Sequence, residues 1–241
     1  MDNLDMATTA RPHSKTRSTA SPDGFHALCE RVQACFDCSS MNHVHILGDV
    51  NGSLDADVLF VAEAPGRLGA ARTGIPMTSD VTGRRFHAFL AEAGLDRSRV
   101  FITNAILCNP LTAQGSNRRP TSREVAACGD FLAAQVGLVR APIVVALGGV
   151  ALEALRRVGQ HEAVLARDVG CALSWAAGER ERTLVPLYHP SIQSTLTRPH
   201  ETQRDDWRRL GELVRALIAG AVPGSSHTPG RRLTEARTNV L

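Results

Sequence analysis

Lysine is almost missing from this sequence of 241 residues: Lys15 is the only one among 27 lysines and arginines. A Schiff-base nucleophile is therefore excluded beyond the N-terminal segment. No apolar run approaches the roughly 18 residues that a membrane-spanning helix needs; the longest candidate, residues 141–155, contains Pro142 and two glycines. The polar N-terminus has neither the basic start nor the apolar stretch of a secretory signal, so we expect a cytoplasmic protein with no membrane contact.

The composition favours one folded domain between two tails. Hydrophobic residues make up 43% of the chain, which permits a sizeable core and excludes full disorder and collagen-like structure. Residues 1–21 and 222–241 show no apolar periodicity, so they predict disordered tails around a domain at residues 22–221. The formal net charge is only +3. A nucleic-acid partner would therefore be held by local basic patches and not by a field of one sign.

Short apolar runs alternate with segments of helical spacing. The runs at residues 58–62, 100–103, 143–147 and 183–187 predict buried strands. Helical patterns cover residues 22–34, 84–93, 121–139, 150–158 and 201–219, and Thr121 and Glu124 have the spacing of a capping box. This alternation predicts an α/β fold: a three-layer αβα sandwich with a central four-stranded, mainly parallel sheet.

Polar residues follow three of the four predicted strands, at the edge of the sheet where open α/β folds bind ligands. Glu63 follows the first strand, Asn104 follows the second, and His189 follows the fourth. The third strand is followed by Gly148–Gly149, which favours a nucleotide-binding fold only weakly because no G-x-G-x-x-G pattern is present.

Six cysteines raise the question of a metal centre, since a disulfide framework is not expected in a chain of this size without a secretion signal. Cys35-x2-Cys38 is a chelating pair, and Cys108 and Cys128 are candidate partners. Four thiolates suit a [4Fe–4S] cluster or tetrahedral zinc, and spacing alone does not decide between them. Ordinary buried thiols are an equally good interpretation of Cys108 and Cys128.

Together these motifs resemble the uracil-DNA glycosylase superfamily. The resemblance covers about residues 35–217 and rests on Glu63-Ala-Pro-Gly, on Thr103-Asn-Ala with Cys108, and on His189-Pro-Ser. The four cysteines are similar to the set of the iron–sulfur branch. Glu63 in its motif is similar to family four, whereas Gly69-Ala-Ala-Arg-Thr-Gly, Asp80 and the stretch from Ser191 to Thr197 are similar to family five.

The resemblance implies a role for each site residue. Glu63 activates water or stabilises the sugar cation, His189 donates to uracil O2, and Asn104 matches N3–H and O4 of the base. Met77 falls at the position of a base-stacking aromatic ring, which leaves uracil selectivity open and makes Phe86 a candidate replacement. The remaining expected pocket residues are Asp80 as a second acid, the loop Ala64, Pro65 and Gly66, and Gly74 for close approach of chain to ligand.

The implied partner is uracil-containing DNA, single- or double-stranded, bound by a monomer that is associated with the nucleoid. Ser191 and Arg198 are expected to contact phosphates, and Ile192 or Leu196 to fill the gap left by the flipped base. The expected activity is hydrolysis of the N-glycosidic bond without lyase chemistry, with the cluster in a structural role. The alternatives are a glycosylase for another deaminated base or a mismatch, and a non-catalytic iron–sulfur DNA-binding module.

Overall fold

A central sheet organises the protein, and the computed structural model describes residues 22–220, so both predicted tails lie outside the described residues. In chain order the strands are β1 (Met41–Asn42), β2 (Val58–Ala62), β3 (Val100–Asn104), β4 (Asn109–Pro110), β5 (Ile143–Leu147), β6 (Leu173–Ala177) and β7 (Arg180–Leu187). The main sheet has the order β3-β2-β5-β7-β6, while β1 and β4 form a separate antiparallel pair.

Helices cover both faces of the main sheet. They are α1 (Pro22–Gln33), α2 (Ala70–Thr73), α3 (Val81–Glu92), α4 (Ser122–Ala127), α5 (Gly129–Leu138), α6 (Gly149–Val158), α7 (Leu165–Asp168) and α8 (His200–Ile218). One core lies under α1, α5 and α6, and the other lies under α3 and α8. Among residues 22–220, no helix has both the length and the apolar character to cross a bilayer.

The predicted three-layer class is confirmed, and the sheet contains one strand more than the four predicted. β6 pairs antiparallel with β7 at the sheet edge, and its five residues, Leu-Ser-Trp-Ala-Ala, include no β-branched residue, so the strand signal is weak. The helix predicted over residues 121–139 is two helices that meet at Cys128. The capping box of Thr121 and Glu124 is present as predicted.

Strand register brings the predicted site segments to one edge. β2, β3, β5 and β7 run parallel, with Ala62 opposite Asn104 and Leu147 opposite Leu187. The residues that follow these strands therefore emerge side by side at the carboxyl edge, where open α/β sheets bind ligands.

Candidate active site

Glu63, Asn104 and His189 line one cavity of about 520 Å³ at the carboxyl edge of the sheet. The ends of three different strands position them: β2 ends just before Glu63, β3 ends at Asn104, and β7 ends two residues before His189. The sequence prediction that these three side chains share one cleft is confirmed.

The polar groups of these three side chains have no hydrogen-bond partner among residues 22–220. Asn104 is only 5% exposed, although buried side-chain amides are normally paired. Asn51 shows the contrast, because its Nδ2 donates to the carbonyl of Ile102 at 2.7 Å. A carboxylate, an amide and an imidazole are therefore all available to a ligand in the same cavity.

Burial shifts the pKa of two of the three groups. It raises the pKa of Glu63 above its usual value, an effect that the charge of Arg119 on the cavity wall opposes. Burial lowers the pKa of His189 to about 4, against the opposing charge of Asp80. At neutral pH His189 is therefore a neutral imidazole, which carries one N–H donor.

The segment that carries His189 is anchored from two sides. Nε of Arg85 donates to the carbonyl of Pro190 at 2.9 Å, and the same guanidinium lies over the ring of Phe89. Gly148 has a φ of 94°, and a Cβ at that position would lie 3.4 Å from Cβ of His189. The glycine after β5 thus permits a close approach of two strand ends.

The loop between β2 and α3 forms another wall of the cavity and is tightly packed. Asp80 caps α3, since its Oδ1 accepts from the amide of Gly83 at 2.7 Å. A Cβ on Gly69 would lie 2.5 Å from Oδ2 of Asp80, and one on Gly83 would lie 2.7 Å from the carbonyl oxygen of Met77. The positive φ of 54° at Met77 is held by this packing.

Most of the predicted loop residues line the cavity, but Gly74 does not. Asp80, predicted as a second acid, has a capping role but also lines the cavity, together with Ala64, Pro65, Gly66 and Met77. Gly74, expected to allow a close approach, instead ends α2 in a left-handed turn, where a Cβ would meet nothing within 4 Å.

The prediction that Phe86 supplies a stacking ring is wrong. Its side chain is fully buried where α3 packs against β2 and α8, and it does not line the cavity. Phe86 packs edge-on against Phe60 and Trp207, with ring centroids 5.3 and 5.5 Å away. The helical spacing of the sequence does not show in which direction a side chain points. In the structure, the ring of Phe86 points into the core.

Arg198 is likewise turned inward and not toward a phosphate. Its guanidinium forms a bidentate ion pair with the buried carboxylate of Asp206. The other predicted DNA-contact residues lie outward on the segment between β7 and α8: Ser191 lines the cavity, and Ile192 and Leu196 are 53% and 90% exposed.

Two asparagines that line the cavity were not predicted from the sequence. Nδ2 of Asn109 donates to the carbonyl of Pro65 at 2.7 Å and to Oδ1 of Asn117 at 3.1 Å. Oδ1 of Asn117 also accepts from the amide of Arg67 at 3.0 Å. These bonds hold the loop after Glu63 against the segment after β4. Nothing in their spacing marks them, because the contact joins positions about 50 residues apart.

The four predicted metal-binding cysteines lie close enough to interact electrostatically. Burial first, then the charges of Cys35 and Cys38, raise the pKa of Cys108 to about 11. The pKa of Cys128 is raised to about 11 in the same way, with contributions from the other three. Backbone hydrogen bonding at His45 and at Leu107 opposes the rise in the pKa of Cys108 and of Cys128, respectively.

Two histidines adjoin this group. His43, His45 and Cys108 place possible ligand atoms within 4.8 Å of one another. Nε2 of His45 also hydrogen-bonds the carbonyl of Cys35 at 2.7 Å. A His-x-His spacing shortly after Cys38 was the signal available in the sequence. Cys108 is the one cysteine in this group among the described residues. The thiols of Cys35, Cys38 and Cys128 would complete a thiolate-rich metal group around it, with the imidazoles as neighbours or additional ligands.

Comparison with known proteins decides the family. The model of the uracil DNA glycosylase superfamily matches residues 50–211. The chain belongs to this superfamily. It is 33% identical to the type-4 uracil-DNA glycosylase of Thermotoga maritima over 165 residues, which is 68% of this chain and 80% of that protein. It is 32% identical to the type-4 enzyme of Archaeoglobus fulgidus over 193 residues, covering 77% and 91% of the two chains.

The superfamily members similar to this chain include a second type. The type-5 uracil-DNA glycosylase of Pyrobaculum aerophilum is 33% identical over 184 residues, covering 70% of this chain and 74% of that protein. The mixed features that the sequence analysis assigned to families four and five are therefore confirmed as similarity to both.

Proposed function

We propose that this protein removes uracil from DNA by hydrolysing the N-glycosidic bond, and that it leaves an abasic site. The observation that carries the proposal is the convergence of Glu63, Asn104 and His189, without hydrogen-bond partners among the described residues, on one cavity. The names of the relatives, type-4 and type-5 uracil-DNA glycosylase, support the same reaction.

Asn104 reads the base edge in this proposal. Its amide offers one acceptor and two donors, which match N3–H and O4 of uracil. Cytosine presents the opposite pattern at these positions, an acceptor at N3 and an amino group at C4. The buried position of Asn104 makes a mismatched base costly, because its amide would then stay unpaired.

His189 stabilises the departing base. When the C–N bond breaks, negative charge develops on the uracil, and a preorganised donor at O2 lowers the barrier. Because burial lowers the pKa of His189 to about 4, the donor is a neutral imidazole N–H. A neutral imidazole can polarise a carbonyl, and it avoids the desolvation cost that a buried cation would carry.

Glu63 acts on the sugar side of the bond. The sugar becomes cation-like as the base leaves, and a carboxylate there stabilises it or activates the attacking water. Arg119 on the same cavity opposes the rise in the pKa of Glu63. It thereby favours the ionised carboxylate that this role needs.

Contacts with the rest of the DNA come from the segment after His189. Ser191, on the cavity wall, faces the phosphate of the everted nucleotide. Leu196, whose side chain is 90% exposed, enters the gap in the base stack. Lys15 is the only lysine in the sequence, so we propose a monofunctional enzyme without lyase activity. We propose that it works as a monomer on single- or double-stranded DNA of the nucleoid.

Cys35, Cys38, Cys108 and Cys128 hold a [4Fe–4S] cluster in this proposal. The cluster supplies a structural cross-link between the segment after α1, the loop after β3 and the junction of α4 with α5. The mutual electrostatic influence of the four thiols supports it. Zinc is the alternative, favoured by the nearby imidazoles of His43 and His45.

A second candidate function is removal of another deaminated base or a mismatched base. Met77 lines the cavity where the resemblance places an aromatic ring. A thioether covers a base through a flexible, polarisable contact that discriminates less between ring shapes. Hypoxanthine and xanthine are the bases to compare with uracil.

Both functions are tested with protein prepared under anaerobic conditions. It is incubated with single- and double-stranded oligonucleotides that contain uracil, hypoxanthine or xanthine, and abasic sites are revealed by alkaline cleavage. We expect the uracil-containing strands to be cleaved, and to be cleaved only when alkali is added. If no base is released from any substrate and DNA binding is retained, the proposal is wrong and the protein is a non-catalytic DNA-binding module. The visible absorption spectrum of the same preparation distinguishes an iron–sulfur cluster from zinc.

A further inference from the structure

A second cavity of about 530 Å³ lies beside the first. Asp80, Thr82, Asn117 and Gln193 line both cavities. The second one therefore adjoins the proposed base pocket and lies on the same edge of the sheet. The proposed base-excision reaction leaves this cavity without an occupant.

Three arginines without side-chain partners surround this second cavity. Arg67, Arg72 and Arg84 are exposed and line it, and none of them has a side-chain hydrogen bond or ion pair to the part of the chain that the structure describes. Arg204 and Arg208 show the opposite arrangement, since both pair with Glu92 between α8 and α3. The three charges at the cavity are thus available to an external anion.

The one carboxylate on this wall is already engaged. Asp80 caps α3 through the amide of Gly83 and packs against the backbone at Gly69. Its charge faces the helix N-terminus and the proposed base pocket, where it acts on the pKa of His189. The lining of the second cavity is consequently positive overall.

Three apolar side chains complete the lining. Leu68, Val81 and Ile192 are 54%, 44% and 53% exposed, and all three line the second cavity. An apolar surface between unpaired arginines suits a ligand that joins a flat apolar face to phosphate groups. Single-stranded nucleic acid has this composition, with bases that stack and a backbone that binds cations.

We propose that the second cavity binds the nucleotide next to the everted one on the same DNA strand. Its phosphates contact Arg67, Arg72 and Arg84, and its base lies against Leu68, Val81 and Ile192. This inference rests on the proposed function, because the position of the second cavity beside the base pocket decides which nucleotide reaches it. The complementary strand is the competing occupant.

The first test measures binding of an undamaged single-stranded oligonucleotide by fluorescence anisotropy at several salt concentrations. Each lost phosphate contact lowers the slope of log K against log salt by about 0.7, so R67A/R84A is expected to lower it by about 1.4. The matched control is R157A/R180A. It removes the same charge at positions near the end of α6 and the start of β7, away from the cavity. Equal slopes for wild type and R67A/R84A would overturn the proposal.

The second test compares kcat/KM for uracil release from a single-stranded oligonucleotide with that from a substrate trimmed to the uracil nucleotide and its own phosphates. We expect R67A/R84A to lose at least about 10-fold on the long strand and little on the trimmed one. A loss seen only with duplex DNA would assign the cavity to the complementary strand and overturn the proposal. If wild type releases no uracil, the proposed function fails, while the salt slopes still decide whether the arginines bind DNA.

Discussion

The carbonyl oxygen of Glu63 accepts a hydrogen bond from the backbone amide of Ile106 at 3.2 Å. Ile106 stands between Asn104 and Cys108, so this bond ties the proposed catalytic carboxylate to the segment that carries both the proposed base-reading amide and a proposed cluster ligand. The next residue, Leu107, accepts from the amide of Ile46 at 2.9 Å. The proposed metal-binding group and the proposed active site therefore share one length of backbone.

Loss of the cluster is expected to weaken the active site as well as the fold. Cys108→Ser should lower the metal content and the Tm, and it should slow uracil release because the segment from Asn104 to Asn109 loses its anchor. Cys171→Ser is the control, since Cys171 lies outside the group of four. Metal analysis, thermal unfolding and uracil release check the three effects. Wild-type metal content in Cys108→Ser would contradict the ligand assignment.

Removing the carboxylate at Glu63 should abolish most of the activity. Glu63→Gln is expected to slow single-turnover uracil release by about 10²- to 10⁴-fold, the usual contribution of such a group, while DNA binding persists. Glu179→Gln, at an exposed turn between β6 and β7, serves as the control. Unchanged release by Glu63→Gln would exclude the role proposed for this residue.

The pH profile should also report Glu63. Because burial raises the pKa of Glu63, the ionised form is lost on acidification earlier than for an exposed glutamate. We expect the rate of the wild type to fall on the acid side with an inflection above the ordinary carboxyl value. The residual rate of Glu63→Gln should show no such inflection, and an identical acid limb in both proteins would assign it to another group.

His189 should act as a neutral donor. His189→Ala is expected to reduce the rate by about 10²- to 10³-fold, the cost of one lost anion-stabilising donor. His189→Asn keeps an N–H group and should recover part of that loss. With a pKa of about 4, wild-type His189 produces no inflection near its ordinary value of about 6.5. Such an inflection, removed by His189→Asn, would show instead that a charged imidazole is involved.

The same lowered pKa links His189 to stability. The unfolded chain binds a proton at His189 below about pH 6.5, whereas the folded protein does so only near pH 4. The free energy of unfolding should therefore fall as the pH drops through this window, and the fall should be smaller in His189→Asn. Urea unfolding at several pH values measures the difference. Equal slopes in the two proteins would contradict the buried neutral state.

Base choice should follow the hydrogen-bonding pattern at Asn104. Asn104→Asp replaces the donor with a second acceptor, which repels uracil O4 and matches the amino group of cytosine. We expect uracil release to fall by about 100-fold, near the roughly 3 kcal/mol cost of a mismatched buried pair, and cytosine release to become measurable. Asn42→Asp, on exposed β1, is the control. Unaltered discrimination would place base reading elsewhere.

The helix cap at Thr121 should contribute to stability alone. Oγ1 of Thr121 accepts from the amide of Glu124 at 3.2 Å, and Oε2 of Glu124 accepts from the amide of Thr121 at 2.8 Å. Thr121→Ala should cost about 1 kcal/mol in urea unfolding, and Ser122→Ala should cost less. Loss of metal from Thr121→Ala would show that the cap also positions Cys128.

The sequence was most informative where burial on both faces leaves a continuous apolar run. β2 matches its predicted bounds, and the polar residues after β2, β3 and β7 meet as parallel topology requires. β6 was not predicted because it is a short edge strand without β-branched residues. Its pairing with β7 is a tertiary contact that local propensity does not encode.

Side-chain direction and distant pairing explain the remaining differences. The helical spacing around Phe86 does not tell the core face from the cavity face, and the core proved to hold its ring. Arg198 pairs with Asp206 because α8 brings its first turns back against the loop, a geometry that no local motif records. The contacts of Asn109 and Asn117, and the second cavity, depend on loops that meet only in the folded chain.

A crystal structure of Glu63→Gln bound to a single-stranded oligonucleotide containing uracil tests the central claim most directly. We predict an everted uracil in the cavity, with the Asn104 amide on N3 and O4 and an imidazole nitrogen of His189 at O2. A base that lies elsewhere, or that touches only one of these two side chains, would contradict the account.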